Sequence, residues 1–550
     1  MSFRQLMRTV IAAALVLSAA TALACTPMGV GRDASADGSV LVTHTCDGWY
    51  DNALRIVPGG EHAEGEMVDV YVDLCIANRP YTPLRLAGQI PQVAKTNTYF
   101  HIGYPFMNDK QLMIGEHTWT GRDEAMSPDG MLYIANLEGF ALQRASTARE
   151  AIRVMGELAE KYGYGDGGEG LVIGDTKELW YFEIVGGGLL WSPDSGRPGA
   201  HWVAQRIPDD EVFVAANTAR IGVVDFEDAE TFMFSSDITR LPGEMGWWQE
   251  GEPFNFAKIF HPQPANRAFV HNRREWRVMN LFAPSQAFPV INAFNAYPFS
   301  VKPDQQVGVR DLMAIYSDHL EGTPYDLTTD PASMPFGDPN RWGLVNSQKP
   351  EGKAEFGWER AVAIPRCSYS FVSQSRDWLP DPVGGVLWFG EDAPDTTVYV
   401  PIYCGVTEIP KPWTKGGRVE FDHGSAWWAF NAVNNYAQLR WNVMYPEIRA
   451  KKASYEDVFF AEQPVLEEIA VRLYNEDPAK AVAYLTERTY SNLEKVENGW
   501  WDFLWTLMGR YYDGGVITGE GRMTFPGYPT EYLEQVDFAG TMLRDLENLK

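Results

Sequence analysis

Apolar and polar residues alternate with period two across Val68-Asp69-Val70-Tyr71-Val72-Asp73-Leu74, which predicts a strand with one wet face. Between residues 137 and 162 apolar positions recur at Leu137, Phe140, Ala141, Ala145, Ala148, Ile152, Met155 and Leu158. Those spacings predict one amphipathic helix, with Gly163 as its natural stop. Apolar runs at 171–173 and 179–185 flank Asp175-Thr176-Lys177-Glu178 and predict a hairpin, and the runs at 202–205 and 211–216 predict a second. Nearer the N-terminus a strand, a polar turn over Ser35 to Gly38 and a second strand at 39–45 make a third, with Asp37-Gly38 as the turn signal. Residues 225–360 are rich in Pro, Trp, Phe and Asp without a clear period, and read as irregular insertions and surface cover.

After Asp422 the pattern turns helical, with helices expected at 426–448, 454–475 and 477–505. Pro446 and Pro478 fall near helix ends, whereas Pro464 falls mid-segment and predicts a split or kink. Strands surrounding long helices argue for an α+β fold, with a core over 25–422 and a helical region over 423–550 that packs on the core or builds an oligomer contact. The pairs Trp427-Trp428 and Trp500-Trp501 read as core.

The first 24 residues stand apart. Arg4 and Arg8 precede an apolar run at 10–20 that ends in Ala22-Leu23-Ala24, the pattern of a cleaved secretory signal peptide. The run is too short to span a bilayer comfortably, so the expected mature chain is exported, periplasmic or secreted. With 46 Lys+Arg against 73 Asp+Glu the net charge is −27, which repels nucleic acid and anionic lipid. Hydrophobic content of 45% with 13% aromatics excludes a disordered chain.

Five cysteines are an odd number, and cleavage after Ala24 would expose Cys25. Three readings compete: a small buried residue, a lipidated cysteine in a partial lipoprotein box, or an N-terminal nucleophile whose own α-amine serves as base. Cys46, Cys75, Cys367 and Cys404 allow three disulfide pairings, and the sequence selects none. Other chemistry lacks local support. There is no H-E-x-x-H and no C-x-x-C, no Walker A lysine and no G-x-S-x-G elbow. Gly163, Gly165 and Gly168 spell G-x-G-x-x-G, but after a predicted helix and before a strand, the reverse of a dinucleotide site, so they read as a turn. No metal or organic cofactor is implied.

The segment from Cys25 through Thr26-Pro27-Met28-Gly29-Val30-Gly31-Arg32-Asp33 to Ser39 resembles the mature start of C69-family dipeptidases, which are N-terminal nucleophile hydrolases related to secernins and penicillin V acylases. Gly103-Tyr104-Pro105-Phe106, Ile114-Gly115-Glu116-His117-Thr118, Trp180-Tyr181-Phe182-Glu183, Ala215-Ala216-Asn217-Thr218 and Ser370-Phe371-Val372-Ser373 continue the likeness in order, over roughly 25–410. The resemblance implies a four-layer αββα core and an exported cysteine-type dipeptidase acting on short peptides, with Cys25 as nucleophile and N-terminal base. His44 matches a position more often held by Arg. Asp47 would orient the amine, and Asn217 would donate to the oxyanion. Plainer readings stand beside these: Asp47 before Gly48 as a turn residue, Asn217 as a strand-end cap, His44 as a satisfied buried imidazole. Glu116 and Arg122 fall in a matching stretch and could bind a peptide's termini, though structural roles suit them better. A related linear-amide acylase and a lipid-anchored binding protein acylated at Cys25 are the alternatives.

Overall fold

The computed structural model describes residues 25–72, 74–76, 84–262, 269–293, 295–341, 359–519 and 521–536. The leader at 1–24 lies outside the described residues. β1 (Met28–Val30) turns through Gly38, whose φ is +83°, into β2 (Val40–Asp47), as the Asp-Gly signal predicts. Every residue of β2 is buried, which fits its run of β-branched Val and Thr side chains. Further along lie β3 (Met113–Trp119), β4 (Gly168–Gly174), β5 (Leu179–Gly186), β6 (Ala200–Ile207) and β7 (Val212–Val214). The last long strands are β8 (Cys367–Ser375), β9 (Val386–Glu391) and β10 (Val400–Tyr403).

These strands form two large antiparallel sheets. One runs in the order Ser300–Val301, β7, β1, β2, β8, β9, β10. The other runs Phe232–Phe234, β6, β5, β4, β3, followed by three short strands at Met107–Asn108, Tyr99–His101 and Arg55–Val57. β2 faces β3 and β4 across the gap between the sheets. The approach is close: a Cβ on Gly115 would lie 2.4 Å from the Thr43 carbonyl oxygen, so only glycine fits there.

Helices α1 (Ile134–Arg144) and α2 (Ala148–Tyr162) pack on the second sheet. The single helix expected over 137–162 is thus two. The break falls where Thr147 accepts from the Glu150 backbone at 3.3 Å and Glu150 reaches back to the Ser146 amide at 2.9 Å, so local capping outweighs continuous apolar spacing. The hairpin expected from 202–205 and 211–216 is also corrected. β6 pairs with β5 in one sheet and β7 with β1 in the other, so the chain crosses between sheets at Pro208 to Glu211. The hairpin of β4 and β5 forms as expected, and the 68–74 alternation becomes Met67–Val72, paired with Arg85–Pro91.

The interval read as irregular cover contains α3 (Phe269–Phe282) and α4 (Val309–Tyr316), which pack on the first sheet at β7, β2 and β8. The C-terminal helices are α5 (Ala426–Ala437), α6 (Trp441–Glu476) and α7 (Pro478–Arg510), all touching β9 or β10. Their break sits at Gln438 to Arg440 rather than beyond Ile448. Lys452, in the polar run that reads as a loop, is buried in α6 with its ammonium donating to the Pro394 carbonyl at 3.0 Å. Pro446 and Pro464 lie inside α6 on its exposed side, where water can hydrate the carbonyls they orphan, so the helix does not split. Among the described residues no helix is long and apolar enough to cross a membrane.

Candidate active site

Cys25 is fully buried at the start of the chain's first hairpin. Three contacts fix its position. Thr26 N–H donates to Thr45 Oγ1 at 3.0 Å, Met28 N–H donates to Thr43 Oγ1 at 2.9 Å, and the Tyr316 hydroxyl of α4 donates to the Thr26 carbonyl at 2.8 Å. β-branched Thr on β2 therefore does more than favour the strand; its hydroxyls hold the segment next to the nucleophile.

The hairpin brings His44 and Cys46 of β2 to the thiol. One ligand atom from each of Cys25, His44 and Cys46 falls within 4.8 Å of the others. Two thiols and an imidazole are also donors that a thiophilic divalent cation accepts. The His44 ring sits among Tyr104, Tyr369 and Phe371, at 5.9, 5.8 and 5.6 Å between centroids, and its Nε2 lies 3.4 Å from Glu116 Oε2 on β3. Burial alone would discharge the imidazole. Contact with the Cys25 thiol and the Glu116 carboxyl outweighs it and pushes His44 up to about 9. Burial, with Cys46 and Glu116 adding to it, holds the Cys25 thiol well above its ordinary value, so it needs an adjacent proton acceptor to become a nucleophile.

Asp47 ends β2, three residues beyond His44. Its Oδ2 accepts from the Arg360 guanidinium at 2.6 Å, while Oδ1 has no hydrogen-bond partner among the described residues. Burial pushes its carboxyl above the ordinary carboxylate range despite the opposing pull of Arg360, Arg274 and Arg366. Its observed partner is a guanidinium, so it is not the plain turn residue that Gly48 suggested.

Asn217 follows β7 with φ +63°, a left-handed conformation that asparagine tolerates. Its backbone N–H donates to His117 Nδ1 at 3.1 Å and its side-chain amide donates to the Thr118 carbonyl at 2.6 Å. The residue connecting it to Cys25 is Arg274, which the sequence did not single out. Arg274 donates to the Cys25 carbonyl at 2.9 Å, to Thr26 Oγ1 at 2.7 Å, to the Ala216 carbonyl at 3.2 Å and to Asn217 Oδ1 at 2.8 Å. Arg274 of α3 thus brings a guanidinium to the Cys25 backbone, although His44 stands at the position more often held by Arg. Beside it, Glu275 accepts from Thr218 Oγ1 at 2.5 Å and from Arg220 at 3.1 Å, fixing the Asn217 loop.

A cavity of about 420 Å3 opens next to this cluster. Tyr104, which packs on His44, and Thr118, which holds Asn217, lie in its wall together with Arg122 and Glu169. Glu116 faces His44 from β3, and Arg122 donates from Nε to the Ile259 carbonyl at 2.6 Å. All five cysteines are free, so none of the three disulfide pairings forms here.

The chain is similar to known dipeptidases over most of its length. Dipeptidase A of Lactobacillus helveticus is 28% identical over 405 residues, covering 71% of this chain and 77% of its own. A probable dipeptidase of Salmonella dublin is 26% identical over 423 residues, with 74% and 86% covered, and one of Latilactobacillus sakei is 25% identical over 414 residues, with 71% and 76% covered. The sequence model of peptidase family C69 matches residues 24–454, a span that includes Cys25, His44, Asp47, Asn217 and Arg274. The chain belongs to peptidase family C69.

Proposed function

We propose that the protein is an exported cysteine-type dipeptidase built on the four-layer N-terminal nucleophile plan. In this reading, removal of residues 1–24 frees the α-amine of Cys25. The amine takes the thiol proton, and the thiolate attacks the scissile carbonyl to give a tetrahedral oxyanion. The Asn217 amide stabilises that charge, aimed by Arg274, which grips Asn217 Oδ1 and the Cys25 carbonyl at once. The ammonium returns its proton to the leaving amine, the C-terminal amino acid departs, and water cleaves the thioester to release the N-terminal one. His44, cationic at neutral pH, favours the thiolate against the burial that opposes it. Asp47 acts from behind as a fixed anion among guanidiniums.

The observation carrying this reading is the Arg274 bridge, which ties the nucleophilic residue to the oxyanion donor in a family of peptidases. The dipeptidase names of the relatives support the substrate class. Replacing Cys25→Ala in the mature protein should reduce hydrolysis of a dipeptide panel by at least about 10^3-fold. Undiminished turnover by that variant would end the mechanism.

A further inference from the structure

The glycine-rich turn that separates α2 from β4 forms one wall of the cavity beside the nucleophile: Asp166, Gly167, Gly168 and Glu169 all line it. Glycine is needed at 168, where a Cβ would lie 2.5 Å from the Trp119 ring that also lines the cavity. Glu169 is 2% exposed, and its Oε2 has no hydrogen-bond partner among the described residues. An oxygen of this kind, buried yet bordering an open cavity, lacks a donor the protein could have supplied but does not. Its charged surroundings make the deficit specific. Glu116 and Asp166 stand next to it, both acidic, with the Thr118 side chain as a neutral neighbour.

The position of Glu169 in the sheet says which part of a peptide would supply that donor. Glu169 pairs directly with Thr118 in the register of β3 and β4. The carbonyl of Thr118 holds the Asn217 amide, and its hydroxyl donates to Glu116 at 3.2 Å, the residue that touches His44. A group bound at Glu169 therefore sits beside the oxyanion donor. In a peptide's N-terminal residue, the α-nitrogen lies only about 2.5 Å from the scissile carbonyl carbon, two bonds away. A cavity of about 420 Å3 holds a dipeptide with water to spare.

We propose that Glu169 receives the free α-ammonium of the substrate's N-terminal residue, making the enzyme selective for peptides with an unblocked N-terminus. The ammonium provides both the missing donor and the missing positive charge. A fatty or aryl acyl group in the same place would leave Glu169 unpaired, which separates peptide substrates from other linear amides. This inference rests on the dipeptidase reading above.

The test compares L-Ala-L-Phe with its N-acetyl form, using mature wild-type protein and Glu169→Gln. Wild type should prefer the free dipeptide by about 100-fold in kcat/KM. Glu169→Gln should raise KM for the free dipeptide by about 10- to 100-fold, change kcat less, and leave the acetylated peptide unaffected. Glu169→Asp, which restores the charge on a shorter arm, should recover part of the loss. Equal cleavage of both peptides by wild type would overturn the proposal without requiring any variant, as would an unchanged KM and preference in folded Glu169→Gln. Absence of Cys25-dependent cleavage of L-Ala-L-Phe would instead fail the dipeptidase reading, and this inference with it.

Discussion

Asp47 and Glu169 are both carboxyl groups buried to within 2% of full exclusion, yet they have opposite surroundings. Asp47 meets Arg360 at 2.6 Å, with Arg274 and Arg366 nearby. Glu169 meets Glu116 and Asp166, and its Oε2 goes unpartnered. A folded chain tolerates a buried charge by pairing it and tolerates an unpaired acid by keeping it protonated. The first arrangement has its countercharge within the protein, although Asp47 Oδ1, like Glu169 Oε2, has no hydrogen-bond partner among the described residues. The second faces acids instead, and it borders the cavity. The difference locates the part of the molecule built for a ligand more sharply than burial or acidity alone.

The comparison breaks most visibly through stability. Arg360→Met leaves Asp47 buried without its closest partner and should cost about 3–5 kcal/mol in unfolding free energy, whereas Glu169→Gln should change stability by less than about 1 kcal/mol. Chemical denaturation of the two variants checks this, and equal losses would remove the distinction. Next comes Asn217→Ala, which leaves both carboxyls in place and should lower kcat by about 10^2- to 10^3-fold with little change in KM. Steady-state kinetics on a dipeptide reads that split.

A smaller effect concerns His44, which Glu116 approaches from β3. Its folded value of about 9 is above the ordinary 6.5, so its contribution to stability is complete below pH 6.5 and fades as pH rises through 9. The stability advantage of wild type over His44→Gln should therefore shrink across that window, by at most about 3 kcal/mol. Melting curves of both proteins from pH 6 to 10 would measure it, and a constant difference would contradict the assigned charge.

The hairpin that carries Cys25 was legible because it depends on neighbours: alternating apolar residues and an Asp-Gly turn. His44 and Asp47 came from the family resemblance, and the structure places both on that second strand. Arg274 was not legible. It sits within 225–360, the interval that reads as irregular surface cover, and it reaches Cys25 only because α3 folds back across 249 residues of sequence. Glu169 was hidden for a similar reason, inside glycines that read as a spacer. The crossing at Pro208 to Glu211 looked like a hairpin because sequence spacing cannot distinguish a turn within one sheet from a step between two. The split at Thr147 had a signal, a Thr-x-x-Glu capping box, but the apolar period of the flanking helices obscured it.

The central claim is that the free amine of Cys25 activates its own thiol. The most direct measurement compares mature protein beginning at Cys25 with the same protein carrying one additional N-terminal alanine, each verified by intact mass, on L-Ala-L-Phe. The extended form retains the thiol, His44, Asn217 and Arg274, but its amine is displaced by one residue. It should lose activity by at least about 10^2-fold while still folding with an unchanged melting temperature. Full activity in the extended form would contradict the account.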